Sequence, residues 1–385
     1  MFFDRFREAL SRLPDGLVRP GPPATATALA AVEAALARPL PQELRSFLQS
    51  FDGVDLFHEA VIIAGADAGS LRTLSELNPE PGRSELVFAE TVAGDRFALR
   101  ADGVVLRLRG GGDTDDAEVG ENERWLAGSD FTRWLDALVA HERVLYGPDG
   151  EFSPDAFEPD GAEILPLVAL RQTERALKID PGAAELHHER AIALRRLGRD
   201  ADAREAYQRA AQLDPENPWT WFDLGRAALA DGVAGARDAL DAFERAAAIE
   251  RGQTAARLWI WAARAAQLLA APEKIAACRK EALALLPELA GALRRARDAA
   301  AGSEDPDELS EAEALLEALE GPIATGRARL TVLTELSPSA PRTPRPASGA
   351  PEQKRPTRPP RAGAAAHLRP RPRPRPRPKA PQARR

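Results

Sequence analysis

Cysteine occurs once, at Cys278, which excludes an internal disulfide and any zinc cage built from cysteines. Flanked by alanines, Cys278 reads as a small helical residue rather than a nucleophile. Histidines are few and scattered; the adjacent His187 and His188 point to different sides of a helix and cannot share a metal ion. No serine stands in a nucleophile-elbow pattern. Long apolar runs are missing too: even "LWIWAARAAQLLAA" carries Arg264 in its middle, so no segment is expected to span a bilayer. The opening "MFFDRFREALSRLP" has charges where a secretory signal needs an apolar stretch, and the expectation is a cytoplasmic protein. The glycine-rich stretch "RGGGDTDDAE", from Arg109 to Glu118, lacks the Gly-Lys-Ser/Thr of a phosphate loop. Its Asp113, Asp115, Asp116 and Glu118 miss the spacing of a calcium loop, and it reads as a solvated hairpin. No enzyme, no cofactor and no metal site is expected.

What is present is a sharp asymmetry of charge. The net −7 combines a tail from Pro341 onward at about +13 with a body at about −20. The tail ends in "LRPRPRPRPRPKAPQARR", where a proline at every second place removes donors and fixes φ, so neither helix nor strand can form. Three readings of this arm stand open. It touches nucleic acid nonspecifically, it docks on the acidic body or on a proline-recognising domain, or it only solubilises the chain.

The body holds a second anomaly. "YQRAAQLDPENPWTWFDLG", residues 207–225, places two tryptophans and a phenylalanine just after a helix break at Asp-Pro and Asn-Pro. From Ala184 the chain reads "AELHHERAIALRRLGRDADAREAYQRAAQLDPEN", thirty-four residues long, the period of a two-helix solenoid unit. Ala191, Ala203 and Ala210 supply the small contacts of such a pair, Tyr207 the filler and Pro215 the breaker. The next unit begins at Pro218 with Trp221, Leu224 and Gly225, then Ala239, Phe243 and Ala246. A third, from Ala256, gives Trp259, Ala263, Ala282 and Pro287, with Arg279 where an aromatic is expected. Upstream, Ala169, Ala176 and Pro181 mark a second helix whose first partner is not recognisable.

This register closely resembles the tetratricopeptide repeat. In that family certain places of the first helix face a concave groove. The resemblance therefore implies a protein-binding groove lined by His188, Ile192, Arg195 and Arg196 from the first unit. Trp219, Phe222, Arg226 and Leu229 follow from the second, and Ile260, Arg264 and Gln267 from the third. Exposed aromatics flanked by arginines suit a peptide with apolar anchors and acidic rims. The family's carboxylate clamp is not carried over, because His188, Ile192, Phe222 and Arg226 occupy the clamp places. The alternative is that the chain's own N-terminal domain or tail fills the groove. After Pro287 two more helices are expected as a cap, the second starting at Asp305-Pro306.

Residues 1–146 have another grammar. A helix with Phe2, Phe6, Leu10 and Leu13 on one face comes first. A second is capped by Thr25 or Thr27, and a third runs from Pro41 to near Gly53. "EAVIIAG" reads as a strand and "GSLRTLSELN" as a helix. "ELVFAETVAGDRFALRADGVVLRLRG" reads as three strands, and "SDFTRWLDALVAHERVL" as a closing helix with Phe131, Trp134, Leu135, Leu138 and Val139 inward. The segment resembles the SUKH superfamily of cell-wall-synthesis regulators and toxin-immunity proteins. The resemblance rests on Val32, Glu33 and Leu36, on Leu40-Pro41 with Leu44, Phe47 and Leu48, on Asp52-Gly53, on the D-G-V-V-L strand and on the closing helix. It implies a binding module, and no functional residue is transferred.

The expected architecture is an α+β N-terminal domain (1–146), an acidic linker (147–165), an all-α solenoid with capping helices (166–322) and a disordered Pro/Arg-rich basic tail (323–385). The expected function is a non-enzymatic interaction or scaffold protein. The alternatives are an immunity protein neutralising a toxin and, more weakly, a protein that touches nucleic acid through its tail. The expected partner is a protein, with an acidic peptide and a toxin as candidates.

Overall fold

The computed structural model describes residues 2–67, 69–80, 82–109, 123–159, 161, 163–301 and 306–322. Most of the glycine-rich acidic stretch (110–118), Asp305 and the tail 323–385 lie outside the described residues. Seven short strands follow one another in space as they do in sequence. They are β1 (Val18–Pro20), β2 (Val54–Leu56), β3 (Val61–Ile63), β4 (Leu86–Thr91), β5 (Arg96–Leu99), β6 (Val105–Leu108) and β7 (Arg124–Gly128), all antiparallel. The alternation in 85–110 produces β4, β5 and β6 as expected. Their hairpins turn at Gly94 and Gly103, both at positive φ, which only glycine adopts without strain. Strands β1 and β2 are three residues each, too short to set up an alternation, and they join the sheet unannounced by the sequence, as does β7.

Helices α1 (Phe2–Ser11), α2 (Ala26–Ala35), α3 (Gln42–Leu48), α4 (Leu74–Leu77) and α5 (Phe131–Glu142) accompany the sheet. Thr25 caps α2, accepting from the Ala28 amide at 3.1 Å. The expected helix over "GSLRTLSELN" shrinks to the single turn α4, held by a reciprocal Thr73–Glu76 capping box. An aromatic chain forms the core: Phe131 meets Phe47 and Phe88 at 5.4 and 5.3 Å, and Trp134 meets Phe88 and Phe97 at 5.0 and 4.9 Å. Gly128 is obligatory there, since a Cβ would stand 2.5 Å from that of Trp134. Leu138 and Val139, expected inward, are only half-buried, while Ala137 is buried.

The helical half comprises α6 (Pro166–Leu177), α7 (Ala184–Arg196), α8 (Asp200–Leu213), α9 (Pro218–Leu229), α10 (Ala236–Ile249), α11 (Gly252–Leu268), α12 (Pro272–Leu285), α13 (Leu289–Ala300) and α14 (Pro306–Glu320). The repeat logic holds in the packing. Ala191, Ala203, Ala210, Ala239, Ala246, Ala263 and Ala282 are all fully buried, as are the fillers Tyr207 and Phe243. Gly225 lets the Phe243 ring close in; a Cβ on it would lie 2.6–2.9 Å from three ring carbons. Arg279, at the place of a missing aromatic, instead donates to the carbonyls of Ala318 (2.7 Å) and Gly321 (2.8 Å), capping the end of α14. Helix α14 lies against α11 and places Leu315, Leu316 and Leu319 in the same core as Ile260 and Trp261.

The missing first helix of the opening half-repeat is supplied from the other domain. Helix α5 closes the sheet's core with Phe131 and Trp134 and also packs against α6. The stretch 147–165, expected as a linker, is laid down as structure. Tyr146 stacks between Phe57 (5.3 Å) and Phe152 (4.6 Å), Ser153 N donates to Leu145 O at 2.8 Å, and Leu165 N to Ala156 O at 2.9 Å. Its acids are used as well: Glu163 pairs with Arg196 at 2.9 Å.

Candidate protein-binding groove and the domain junction

Strand β7 ends the sheet, and an edge strand leaves backbone groups that must find partners. Here the turns between repeats provide them. Asp180, of the turn before α7, accepts from Ser129 N at 2.7 Å. Asp214, of the turn before α9, accepts from Leu126 N at 3.3 Å, and Asn217, which also caps α9, donates to Arg124 O at 2.8 Å. The Asp-Pro and Asn-Pro pairs that break the helices thus also seal the sheet.

A buried charge cluster lies beside this seam. The Arg107 guanidinium on β6 bonds Asp95 through two nitrogens (3.0 and 2.6 Å) and reaches Glu185 on α7 at 2.8 Å. Burial disfavours its charge, but these carboxylates and Glu189 outweigh that and hold it firmly protonated. His141 on α5 contacts Glu142 at 3.0 Å and Glu189 at 3.6 Å. Burial opposes its protonation, yet the two glutamates raise its pKa to about 10. Glu189 is likewise opposed by burial and lowered to about 2 by His141 and Arg107.

This junction takes over one end of the expected groove. His188 is buried, packed between Trp125 of β7 (4.5 Å) and Tyr207 (5.2 Å), with Nε2 2.9 Å from Asp223 Oδ2. It is part of the domain interface and cannot line an open groove. Arg196 is held by Glu158, Glu163 and the Ile164 carbonyl. At the other end Ile260 is fully buried in the core, Gln267 donates to Glu317 O of α14 at 3.3 Å, and Leu229 packs half-buried against that core. The physical reason is tertiary packing that the repeat pattern does not contain: Trp125 of the sheet against His188, the connector against Arg196, and α14 against the core of Ile260 and Gln267.

Between the two ends the remaining expected residues stay accessible. Ile192, Arg195, Trp219, Phe222 and Arg264 are half-buried and Arg226 is exposed. Trp219 and Phe222 meet edge-on at 6.2 Å, and Phe222 meets Trp261 at 5.7 Å. Arg226 stands over both Phe222 and Trp261 at 5.7 Å, and Arg264 over Trp261 at 5.4 Å. Arg226 approaches Glu311 of α14 only to 3.5 Å, while the Arg195 side chain makes no ion pair or hydrogen bond with a described residue. Burial works against the Asp223 charge, but His188, Arg195 and Arg226 hold its carboxyl below the usual range. The Tyr207 hydroxyl, buried and without a partner among the described residues, is pushed up by burial and by Asp223. Burial pushes the Cys278 thiol up to about 11, so it is protonated at neutral pH. Among the described residues no group of His, Cys, Asp and Glu could hold a metal ion, and no helix is long and apolar enough to cross a membrane.

Sequence signals for the junction exist only in part. The Asp-Pro turns are visible, but nothing in them says that their carboxylates cap a strand. Trp261 lies two places beyond the tryptophan that fits the repeat, and the register gives it no role.

Residues 23–137 match the SMI1 / KNR4 family (SUKH-1), and residues 184–227 match the tetratricopeptide repeat. Solved structures are similar to parts of the chain. MamA from Desulfovibrio magneticus RS-1 is 21% identical over 40% of this chain and 85% of its own, with a TM-score of 0.29. TTC0263, a thermophilic TPR protein in Thermus thermophilus, is 24% identical over 39% of this chain and 90% of its own, with a TM-score of 0.29. YrrB, described as a TPR protein with an unusual peptide-binding site, is 17% identical over 40% of this chain and 78% of its own, again at 0.29. No curated protein matches the chain significantly. The chain therefore carries, in this order, a SUKH-1-type region and tetratricopeptide repeats, a pairing that points to a protein-interaction module.

Proposed function

We propose that this is a non-enzymatic scaffold of the cytoplasm, regulatory in role, that holds a protein segment in the accessible part of its helical groove. The observation that supports this reading is the strip Ile192, Arg195, Trp219, Phe222, Arg226 and Arg264, left open between the sheet and α14. Semi-exposed aromatics bordered by arginines are the composition of binding hot spots. The test is affinity capture from nuclease-treated lysate with the full chain and with Trp219→Ala, followed by titration calorimetry on any recovered protein. Loss of about 2 kcal/mol in the variant is the expected result, and equal affinity for both chains would refute it.

The SUKH-1 match favours a second reading, an immunity protein that neutralises a toxin through the N-terminal domain. It predicts one tight toxin partner whose affinity is indifferent to Trp219→Ala.

A further inference from the structure

We propose that the groove's occupant is an acidic amphipathic helix from a partner protein, its leucines seated on Trp219 and Phe222 and its carboxylates taken by Arg195, Arg226 and Arg264. This rests on the groove reading above and names the chemistry of its ligand.

Three observations converge. The first is a gathering of cations: a body at about −20 places Arg195, Arg226 and Arg264 along one strip, where the acids that act on them are Asp223, Glu311 and Glu317. Asp223 is hydrogen-bonded to His188 at 2.9 Å, while Glu311, 3.5 Å from Arg226, and Glu317 are the acids at the other end of the strip. The Arg195 side chain acts on Asp223 but makes no ion pair or hydrogen bond with a described residue.

The second is that the chain shows which ligand such a surface accepts. Helix α14, "PDELSEAEALLEALE", turns Leu315, Leu316 and Leu319 into the core beside Trp261. Its Glu311 and Glu317 act on Arg264, and Glu311 also on Arg226. An acidic helix with a leucine face is thus bound at one end of the strip, and among the described residues none covers it between Trp219 and Arg195. The third is an exclusion. The chain's own Pro/Arg-rich tail carries the same sign as the arginines, so charge argues against it as the occupant. Helix-in-groove recognition supplies the geometry, with apolar anchors on one face and charges along its rim.

The experiment uses the full chain and a fluorescein-labelled peptide of about fifteen Glu, Ala and Leu residues in a helical pattern, with a Lys-for-Glu twin. Fluorescence polarisation near 0.15 M salt reads both affinities; the tail is the same in every protein compared. Arg195→Glu with Arg226→Glu should weaken the Glu peptide at least about tenfold and create affinity for the Lys twin. Arg195→Gln, a milder change at a half-buried site, should weaken the Glu peptide and leave the Lys twin unbound. Glu-peptide affinity untouched by both variants overturns the proposal. So does displacement of the peptide by an oligonucleotide of about twelve nucleotides whose own binding is lost in the charge-reversed chain. If Trp219→Ala abolishes a captured partner while the arginine variants leave the peptide unchanged, the acidic chemistry falls and the groove stands. If neither set of variants has any effect, both fall.

Discussion

Replacing Arg107 with methionine tests whether the two halves are welded by charge. The side chain is 17% exposed, and its partners Asp95 and Glu185 are 6% and 7% exposed. Methionine keeps most of the aliphatic stem's packing, so the lost quantity is the cation. Asp95, Glu185 and, at 4.0 Å, Glu189 then remain in a site from which water is largely excluded. Removing one partner of a buried pair costs about 3–5 kcal/mol, much of it the penalty on the charge left behind. With a urea m-value of about 3 kcal/mol/M, the midpoint should fall by roughly 1–1.7 M. The variant should also acquire a pH dependence. Glu185, whose pKa burial already raises while Arg107 opposes that rise, sits higher still without the cation, so the folded form binds more protons there and stability rises as pH falls from neutrality. The triple variant Arg107→Met, Asp95→Asn, Glu185→Gln removes the stranded charges and should recover most of the loss. Urea melts followed by circular dichroism at pH 5 and 7 read all of this. A single-variant shift under about 0.3 M, or a triple variant no better than the single, would refute the reasoning.

Three further outcomes follow from the same structure. His141, raised from 6.5 to about 10, contributes stability fully below pH 6.5 and loses it as pH rises through 10. Glu189, lowered from 4.5 to about 2, contributes above pH 4.5 and loses it toward pH 2. Thermal melts should therefore decline between pH 7 and 10, and His141→Ala should flatten that decline. Gly225→Ala should destabilise by about 1–3 kcal/mol despite alanine's better helix propensity, because its Cβ would meet the Phe243 ring at 2.6–2.9 Å. Phe243→Leu in the same chain should recover part of that loss in a melting experiment. Arg279→Ala uncaps α14, and amide exchange at Leu315–Leu319 should quicken by about tenfold or more relative to α9.

The repeat half is legible because its signal is redundant. Ala191, Ala203 and Ala210 recur in Ala239, Ala246 and Ala263, and each small residue is small for the same reason: another helix touches it. The sheet is half legible, since alternation needs four or five residues to declare itself and β1 and β2 have three. Among the residues expected to line a groove, His188 and Ile260 are buried by contacts from other elements. Repeat places say which way His188 and Ile260 point relative to their own helix. They carry no information about a strand arriving from residue 125 or a helix from residue 315, because those contacts span long separations with no shared period. The connector misleads for a related reason: its acids and prolines have the composition of a linker, and only the aromatics Tyr146, Phe152 and Phe157 hint that it packs.

Helix α5 belongs to two cores at once, and that has a thermodynamic consequence for any partner with two contact points. Tethered modules on a flexible chain explore a wide volume, and the second contact must wait for the right excursion. Here the spacing between the N-terminal domain and the arginine strip is set by a shared helix and a sealed strand edge. A ligand matched to that spacing would find its second site already at high effective concentration, and one mismatched by a turn of helix would gain nothing from it. Selectivity among partners could then reside in distance, with each individual contact weak.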